Sequence, residues 1–403
     1  MGNLLGCKAA GEGERGHDGA RGPGGLGGVL LPREHHGAVQ CCGFWGRGAV
    51  VTGGDDGLVA MTELRRSHAD PAKAIRVFRG HKKAVTSIHI NKKTGVAYSA
   101  SRDLTLKSWK ASNSAAVGNF MGHSLTVMAV GCDRDGLMVA SGGRDYAVKL
   151  WDPNTCQCTS TSKISRNLVT CLKFWEDGSQ KFCQGSEDLT MRVWDVRNIS
   201  NQSTHAGCSL TFGKYVYFPL DTDISSCGLY VISSSKGFNG AGCEGRVWDT
   251  RMPEKPVHMM EGHQQDAVGC CFVNNLAGWE GGKVMCTVSK DATLRLWDAD
   301  TGECLGVHEE EESGMWTSVR CWEGEIEGWG GSIGGDGIEE FSTGDPHLVA
   351  TTFYGGIYVF TVFTEDNAKG RRGLGMMVIN LVRPIVENEY EMGVDTVPLP
   401  TAI

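Results

Sequence analysis

Three groups of side chains in this chain have the composition of a hydrolytic triad, which joins a histidine, a hydroxyl residue and an aspartate. In such a site the histidine takes the hydroxyl proton and the aspartate orients the imidazole. The groups are His81 with Ser99 and Asp103, His123 with Ser141 and Asp145, and His263 with Thr287 and Asp291. In each group the hydroxyl residue lies four positions before the aspartate, and a tryptophan lies six positions after it: Trp109, Trp151 and Trp297. A set that recurs in register indicates a repeated structural element, so we predict buried structural networks and no catalytic residues.

The tryptophans belong to five segments that end alike. They are TLKSWK (105–110), VKLWD (148–152), MRVWD (191–195), GRVWD (245–249) and LRLWD (294–298). Trp109, Trp151, Trp194, Trp248 and Trp297 are separated by 42, 43, 54 and 49 residues. A period just above 40 residues is typical of a four-stranded propeller blade, with insertions in the two longer units.

The residues before each tryptophan predict two strands and a tight turn. In AVTSIHINKKTGVAYSASRD (84–103) apolar residues alternate with polar ones around turn residues, and the aspartate then opens a second turn. Its carboxylate can accept hydrogen bonds from the turn and from the imidazole, while the histidine bridges to the hydroxyl and the indole N–H completes the network. Each of the three histidines follows a glycine: Gly80, Gly122 and Gly262. Asp188 and Trp194 keep the spacing of aspartate and tryptophan in a unit that lacks this Gly-His pair.

These motifs resemble the WD-repeat family of β-propellers over residues 36 to 361. The resemblance implies an all-β fold, a seven-bladed WD-repeat β-propeller with four antiparallel strands per blade. Residues 35–62 look like a first blade, with Asp56 in the turn and Thr62 at the tryptophan position, and the last blade carries Phe360 there. We expect closure of the ring to need one strand from a distant part of the chain, and we expect the apolar C-terminal run 375–386 to supply it in preference to residues 29–31.

The chain divides into three parts. Residues 1–28 include nine glycines between Gly11 and Gly28, which predicts a flexible tether. We assign 29–390 to the propeller, with an acidic, Gly-rich insertion at 306–345, and 391–403 to a C-terminal tail. The insertion is either a solvated loop or an acidic docking arm for a basic partner.

Composition excludes several classes of function. The formal net charge of −8 argues against a nucleic-acid partner, and no run of about 18 apolar residues could span a membrane. The 16 cysteines form no CxxC pair and no zinc-type set, so we expect buried thiols, no metal site and no cofactor. P-loop, GxSxG and HExxH motifs are missing from the sequence. We therefore expect a non-catalytic protein–protein interaction scaffold.

The first residues, MGNLLGCKAA, carry a candidate lipid address. Removal of Met1 would expose Gly2 for myristoylation, although Gly6 stands where Ser or Thr is usual, and Cys7 could be palmitoylated. Two chains are needed for stable anchoring, and this pair would supply them. The alternative is an unmodified start. We expect a cytoplasmic protein whose only membrane contact is through this acylation.

Two further expectations come from resemblance. The loop SKGFNGAGCEG (235–245) resembles a blade of WD-repeat proteins associated with cilia, which implies a role in ciliary trafficking and partners among its regulators. DLTMRVWDVR (188–197) resembles the docking box of substrate receptors for cullin-RING ubiquitin ligases, and WDTR (248–251) repeats its end. Arg197 and Arg251 would then contact a ligase adaptor, whereas local ion pairs are the simpler interpretation.

Overall fold

The computed structural model describes residues 29–30, 35–46, 48–63, 74–164, 166–199, 207–274, 276, 283–309, 314–322, 346–366 and 372–382. Within these residues the strands form seven antiparallel sheets of four, with a two-residue strand added to the last. Each sheet is one blade, and its strands follow one another in chain order. The predicted fold is confirmed.

The first four blades contain strands β2 to β17. Blade 1 consists of β2 Val39–Phe44, β3 Ala49–Gly54, β4 Val59–Glu63 and β5 Ala74–Phe78. Blade 2 consists of β6 Val85–Asn91, β7 Val96–Ser101, β8 Thr105–Lys110 and β9 Gly118–Met121. Blade 3 consists of β10 Val127–Cys132, β11 Val139–Gly143, β12 Ala147–Trp151 and β13 Cys158–Lys163. Blade 4 consists of β14 Val169–Phe174, β15 Lys181–Ser186, β16 Thr190–Asp195 and β17 Cys208–Phe212, with a 3₁₀ helix at Val196–Asn198.

The remaining blades contain β18 to β29. Blade 5 consists of β18 Pro219–Ile224, β19 Tyr230–Ser235, β20 Glu244–Asp249 and β21 His258–Glu261. Blade 6 consists of β22 Ala267–Val273, β23 Val284–Ser289, β24 Thr293–Asp298 and β25 Cys304–Glu309. Blade 7 consists of β26 Trp316–Trp322, β27 His347–Thr352, β28 Ile357–Asp366 and β29 Arg372–Val382. The short strand β1 is Val29–Leu30.

The ring closes through the first strand of each blade. The first strands of successive blades contact one another around the ring, and β26 of blade 7 contacts β2 of blade 1. At this joint the Thr317 hydroxyl donates to the carbonyl of Val39. Equivalent bonds run from Thr86 to Val127 and from Thr170 to Pro219. The first strands therefore line the centre of the propeller.

The C-terminal run forms the fourth strand of blade 7, as expected, but it does not arrive from a distant part of the chain. β29 pairs with β28 directly before it, from Asp366↔Arg372 to Ile357↔Val382. The other candidate, β1, pairs in parallel with the outer edge of β29 at Val29↔Asn380. The premise that closure needs a remote strand was wrong, because blade 7 is complete in chain order.

The hydrophobic core lies between neighbouring blades. Five tryptophans at the repeated position are almost completely buried, and each side chain of this size contributes about 4 kcal/mol on burial. The blades approach so closely that a side chain at Gly142 would collide with Val169 of the next blade. Phe360 and Thr62 are buried at the tryptophan position of blades 7 and 1.

The predicted tether and tail lie outside the described residues, as do 310–313 and 323–345. Within the range assigned to the acidic insertion, however, residues up to Glu309 complete β25 and residues 316–322 form β26. The range 306–345 therefore includes the end of β25 and the whole of β26.

Candidate functional site

The most deeply buried network lies in blade 3 and joins the turn to the strand behind it. Trp151 Nε1 donates to Ser141 Oγ at 2.8 Å, and Ser141 Oγ lies 2.7 Å from His123 Nε2. His123 Nδ1 lies 2.9 Å from one Asp145 oxygen and 3.1 Å from the other. A neutral imidazole protonated at Nδ1 satisfies every contact, because it donates to the carboxylate and accepts from the hydroxyl.

Asp145 also fixes its own turn. Its carboxylate accepts from the backbone N–H of Ser124 at 3.0 Å and of Ala147 at 3.2 Å. Burial raises the pKa of Asp145, but the hydrogen bonds from His123 and from the two backbone N–H groups outweigh it and lower the pKa to about 2. The side chain is therefore held as a carboxylate at neutral pH.

Blade 2 repeats the arrangement. His81 Nδ1 lies 2.9 Å from Asp103, and His81 Nε2 lies 2.7 Å from Ser99 Oγ. Trp109 Nε1 donates to the same hydroxyl at 2.8 Å. The structure therefore brings all four predicted residues together.

In blade 6 the network includes a second hydroxyl. His263 Nε2 lies 2.8 Å from Thr287 Oγ1, which also accepts from Trp297 Nε1 at 2.8 Å. His263 Nδ1 lies 3.3 Å from Asp291 and 2.9 Å from Thr293 Oγ1. Thr293 in turn donates to Asp291 at 2.7 Å, so the histidine is tied to the turn by two routes.

Blade 4 keeps Asp188 and Trp194 but connects them through amides. Trp194 Nε1 donates to Gln184 at 2.8 Å, and the Gln184 amide donates to Asn167 at 2.6 Å. Arg192 bridges Asn167 at 2.9 Å and Asp188 at 2.5 Å. Gln184 lies four positions before Asp188, where the other blades have a hydroxyl, so the spacing could have predicted it.

Blade 1 contains a network that the sequence analysis missed. His35 Nδ1 lies 3.1 Å from Asp56, and His35 Nε2 lies 2.9 Å from Thr52 Oγ1. Thr52 lies four positions before Asp56, so the repeated spacing was again the available signal. With Thr62 at the tryptophan position, this network lacks the indole donor.

Blade 5 has lost the turn aspartate and uses a tyrosine instead. Trp248 Nε1 donates to the Tyr215 hydroxyl at 2.8 Å, and this hydroxyl lies 2.7 Å from Ser233 Oγ. The Arg246 guanidinium stacks 4.3 Å from the centre of the Tyr215 ring. Its charge is balanced by buried Glu244, which accepts from Arg246 Nε at 2.6 Å. A buried ion pair therefore replaces the histidine and aspartate.

The triad-like sets have no access to a substrate. Ser99, Ser141 and Thr287 are completely buried, and each hydroxyl oxygen accepts a hydrogen bond from an indole N–H. A nucleophile must reach the carbonyl carbon that it attacks, which these hydroxyls cannot do. The geometry supports the structural interpretation of the three sets.

One face of the ring is built from turns and linkers in all seven blades, and we call it the turn face. In each blade a residue of the turn between the second and third strands donates its backbone N–H to the linker residue that precedes the first strand, at 2.9 to 3.0 Å. The donors are Asp55, Arg102, Arg144, Glu187, Lys236, Lys290 and Phe353. Each turn is therefore fixed beside the entry to its blade.

Three turns display a large apolar residue in an unfavourable backbone conformation. Leu104, Tyr146 and Leu189 directly follow the turn aspartates and have φ of 73°, 63° and 67°. Positive φ favours glycine and asparagine, and it costs a residue of this kind about 1 kcal/mol or more. Their side chains are nevertheless exposed, to 37, 45 and 40%.

Comparison with known proteins identifies the repeats. A family profile described as "WD domain, G-beta repeat" matches residues 72–110, 115–152, 155–195 and 254–298, and a second, "CXCXC repeat", matches 149–159. The fold is a seven-bladed β-propeller, and four of its segments match the WD-repeat profile.

Relatives of this propeller align over part of their length. "Nuclear distribution protein nudF" of Aspergillus niger is 25% identical over 158 residues, 38% of this chain and 31% of the relative. "Guanine nucleotide-binding protein subunit beta" of Arabidopsis thaliana is 28% identical over 159 residues, 38% of each chain. "p21-activated protein kinase-interacting protein 1-like" of Gallus gallus is 33% identical over 82 residues, 20% of each. The propeller thus spans well under half the length of these relatives.

Arg197 and Arg251 lie on the face opposite the turn face, just after the third strands of blades 4 and 5. Each guanidinium makes two hydrogen bonds to the aspartate two residues earlier: Arg197 to Asp195 at 2.9 and 2.6 Å, and Arg251 to Asp249 at the same distances. Their side chains remain 62 and 60% exposed. The local pairs leave part of each guanidinium open to solvent.

Charged side chains also meet inside the ring. Arg320 of blade 7 reaches past blade 6 to Asp221 of blade 5, with contacts of 2.6 and 3.1 Å. Asp221 also accepts from the backbone N–H of Cys270 at 3.1 Å. Burial alone would lower the pKa of Arg320, but the Asp221 carboxylate raises it well above the usual value. Lys173 pairs with Asp223 beside them at 3.1 Å.

The remaining predicted features are placed as follows. Among the described residues, the cysteines are free thiols, no three metal-binding side chains cluster together, and no helix is long and apolar enough to cross a membrane. Gly2 and Cys7 lie outside the described residues, so acylation stays a prediction.

Proposed function

We propose that this propeller is a non-catalytic scaffold that binds other proteins. The observation that carries the proposal is the division of its polar residues. The side chains with triad chemistry are enclosed within the blades, where they fix the turns, while turn residues such as Leu104, Tyr146 and Leu189 expose their side chains to solvent. Two relatives have names that record association, as an interacting protein and as a subunit. The rigid frame and the displayed turns suit recognition of proteins.

We propose further that Gly2 and Cys7 are acylated and hold the propeller at a membrane. The glycine-rich segment 11–28 that follows has a composition suited to a tether. The expected result is that the wild-type chain fractionates with membranes and incorporates a myristate analogue, whereas Gly2→Ala does neither. Cys7→Ser should keep the myristoyl label but lose stable membrane association, because one chain binds only weakly.

The proposed site of action is the cytoplasm at the cilium or its base. The support is the resemblance of residues 165–195 and 235–251 to the matching blades of WD repeat-containing protein 31, and above all the blade 5 loop. This loop is held in place by Gly240, whose N–H donates to Gln264 at 3.1 Å, and by Gly237, whose N–H donates to Asp266 at 3.0 Å. It is therefore a fixed feature of the surface.

Proximity labelling in ciliated cells tests both statements. The chain is labelled at its C-terminus, and wild type is compared with Gly2→Ala. The proposal predicts that the wild type marks membrane and ciliary proteins and that the variant loses the membrane set. A soluble set common to both would contradict the tether, and a set without ciliary proteins would contradict the site of action.

The second candidate is a substrate receptor of a cullin-RING ubiquitin ligase. The matched, exposed positions of Arg197 and Arg251 in neighbouring blades favour it, since each guanidinium could extend its local pair to an adaptor carboxylate. Changing both arginines to alanine should abolish pull-down of the ligase adaptor. Arg134→Ala, an exposed arginine on the same face, is the control. Equal recovery from all three proteins would remove this candidate.

A further inference from the structure

The turn face over blades 2 to 5 differs in charge from the whole protein. Exposed cations surround it, although the chain has a net charge of −8. They are Lys82, Lys83, Arg102, Arg166, Lys214 and Lys236. Among the described residues none of these six forms an ion pair, although the Lys236 ammonium lies 5.2 Å from the centre of the Phe218 ring, whereas Arg144 is paired with Glu187 of the next blade at 2.6 Å. The arc therefore offers unpaired positive charge to a partner.

The same arc displays apolar side chains between the cations. Besides Leu104, Tyr146 and Leu189 of the turns, Phe238 of the blade 5 loop is 66% exposed. Val216, in the linker to blade 5, is 61% exposed. The exposed part of these side chains gains nothing from folding, and three of them hold a backbone conformation that asparagine or glycine would adopt more easily.

We infer that this arc, from the turn of blade 2 to the loop of blade 5, is the docking surface for an extended acidic segment of another protein that carries apolar anchor residues. The inference rests on the proposed scaffold function and names its surface and its partner chemistry. Carboxylates of the segment would pair with the free cations, chiefly Arg102 and Lys236, and its apolar residues would cover Tyr146 and Leu189. Charge complementarity would steer association and the apolar contacts would retain the segment.

Two other occupants have to be distinguished. Glu309, the last residue of β25, begins the acidic run 309–312 of the sequence, and β25 belongs to blade 6, on the far side of the ring from blade 3. A second copy of the chain could also present an acidic surface to the arc. Both are outcomes of the experiment below.

The experiment selects binders for the full-length chain from a random dodecapeptide library displayed on phage. The selected peptides are then measured by fluorescence anisotropy. The inference predicts peptides with net negative charge and Leu, Phe, Trp or Tyr anchors, whose affinity falls with rising salt. The double variant Arg102→Glu/Lys236→Glu should lose at least about tenfold in affinity. The control Lys110→Glu/Lys255→Glu changes exposed lysines on the opposite face and should stay within about twofold.

A second variant distinguishes a binding role of Leu189 from a structural role. Leu189→Asn places a residue suited to positive φ in the strained turn, so its unfolding midpoint should equal or exceed that of the wild type. Its affinity for the selected peptides should nevertheless fall several-fold, because an apolar contact is lost. A purely structural Leu189 would show the opposite pattern, with lower stability and unchanged binding.

The failures are distinguishable. Peptides that bind the opposite face would overturn this inference and leave the scaffold function standing. A library that yields no binder at all would overturn both. If Gln substitutions at 309–312 raise peptide affinity about tenfold or more, the chain's own acidic run occupies the arc. If light scattering shows a dimer that Arg102→Glu/Lys236→Glu dissolves, the occupant is a second copy. Either result would also overturn the inference.

Discussion

The blade 3 network can be tested most directly by removing the hydroxyl of Ser141. This hydroxyl accepts from Trp151 Nε1 at 2.8 Å and lies 2.7 Å from His123 Nε2. Ser141→Ala removes one oxygen and leaves two buried polar atoms without a partner, each of which costs about 1 to 3 kcal/mol. Allowing for partial relaxation, we expect the free energy of unfolding to fall by about 3 kcal/mol, or about a hundredfold in the folding equilibrium constant.

A matched control lies in the same blade. Ser162 is also buried, but its hydroxyl has no hydrogen-bond partner among the described residues. Ser162→Ala removes an unpaired polar group of the same size from the same blade. It should leave stability unchanged or raise it by about 1 kcal/mol, because no donor or acceptor is orphaned.

Denaturant unfolding followed by tryptophan fluorescence measures both variants, with the midpoint compared at equal slope. A double-mutant cycle with Trp151→Phe then isolates the indole bond. Since phenylalanine needs no acceptor, Ser141→Ala should cost about 1 kcal/mol less in that background. Equal midpoints for Ser141→Ala and Ser162→Ala would refute the network argument. They would show that the short distances carry no net stability.

Three further outcomes follow from the same structure. Asp145 has a pKa of about 2 in the fold against 3.8 for the ordinary group, so its ionised form stabilises the fold by about 2 kcal/mol above pH 4. This contribution is lost as the pH falls from about 4 to 2, and the stability gap between wild type and Asp145→Asn should narrow over that range in acid titrations followed by circular dichroism. Inside the ring, Asp221→Ala should lower the unfolding midpoint more than Arg320→Ala does, because Asp221 also accepts a backbone N–H from blade 6. Equal midpoints would mean that the ion pair dominates. Deleting 372–403 removes β29 and leaves β28 as a free edge, so light scattering should show association, whereas deletion of 391–403 should not. A monomeric 372–403 deletion would show that β28 needs no cover.

The fold could be predicted because blades 2, 3, 4 and 6 repeat a fixed offset between aspartate and tryptophan. That offset reflects a physical constraint: the aspartate closes the turn, and the tryptophan lies one strand length beyond it, where its indole reaches the hydroxyl four residues before the aspartate. Gln184 and Thr52 also lie four residues before their aspartates. They were not identified because a hydroxyl residue was sought only in repeats that contain a Gly-His pair. These residues occupy the expected positions at 2.8 and 2.9 Å from their partners.

Other contacts have no counterpart in sequence spacing. Tyr215 takes the histidine position of blade 5, 18 residues before Ser233, but the stacking of Arg246 on its ring cannot be read from that spacing. Arg320 and Asp221 are 99 residues apart and meet because the ring places two non-adjacent blades around one centre. The arrangement at closure was missed for a similar reason. Strand length predicted β29, but its pairing partner depends on which edge is free.

The buried networks also explain why the turn face can carry unusual residues. In blades 2 and 3 the turn is fixed by an aspartate that is tied to a histidine, so the residue after it need not favour the turn. Leu104 and Tyr146 therefore keep positive φ without melting the turn, since a cost of about 1 kcal/mol is small against a network of several hydrogen bonds. The contacts on the interior side of these turns supply their stability. The exposed residues on the outer side can therefore be suited to binding a partner and need not stabilise the turn.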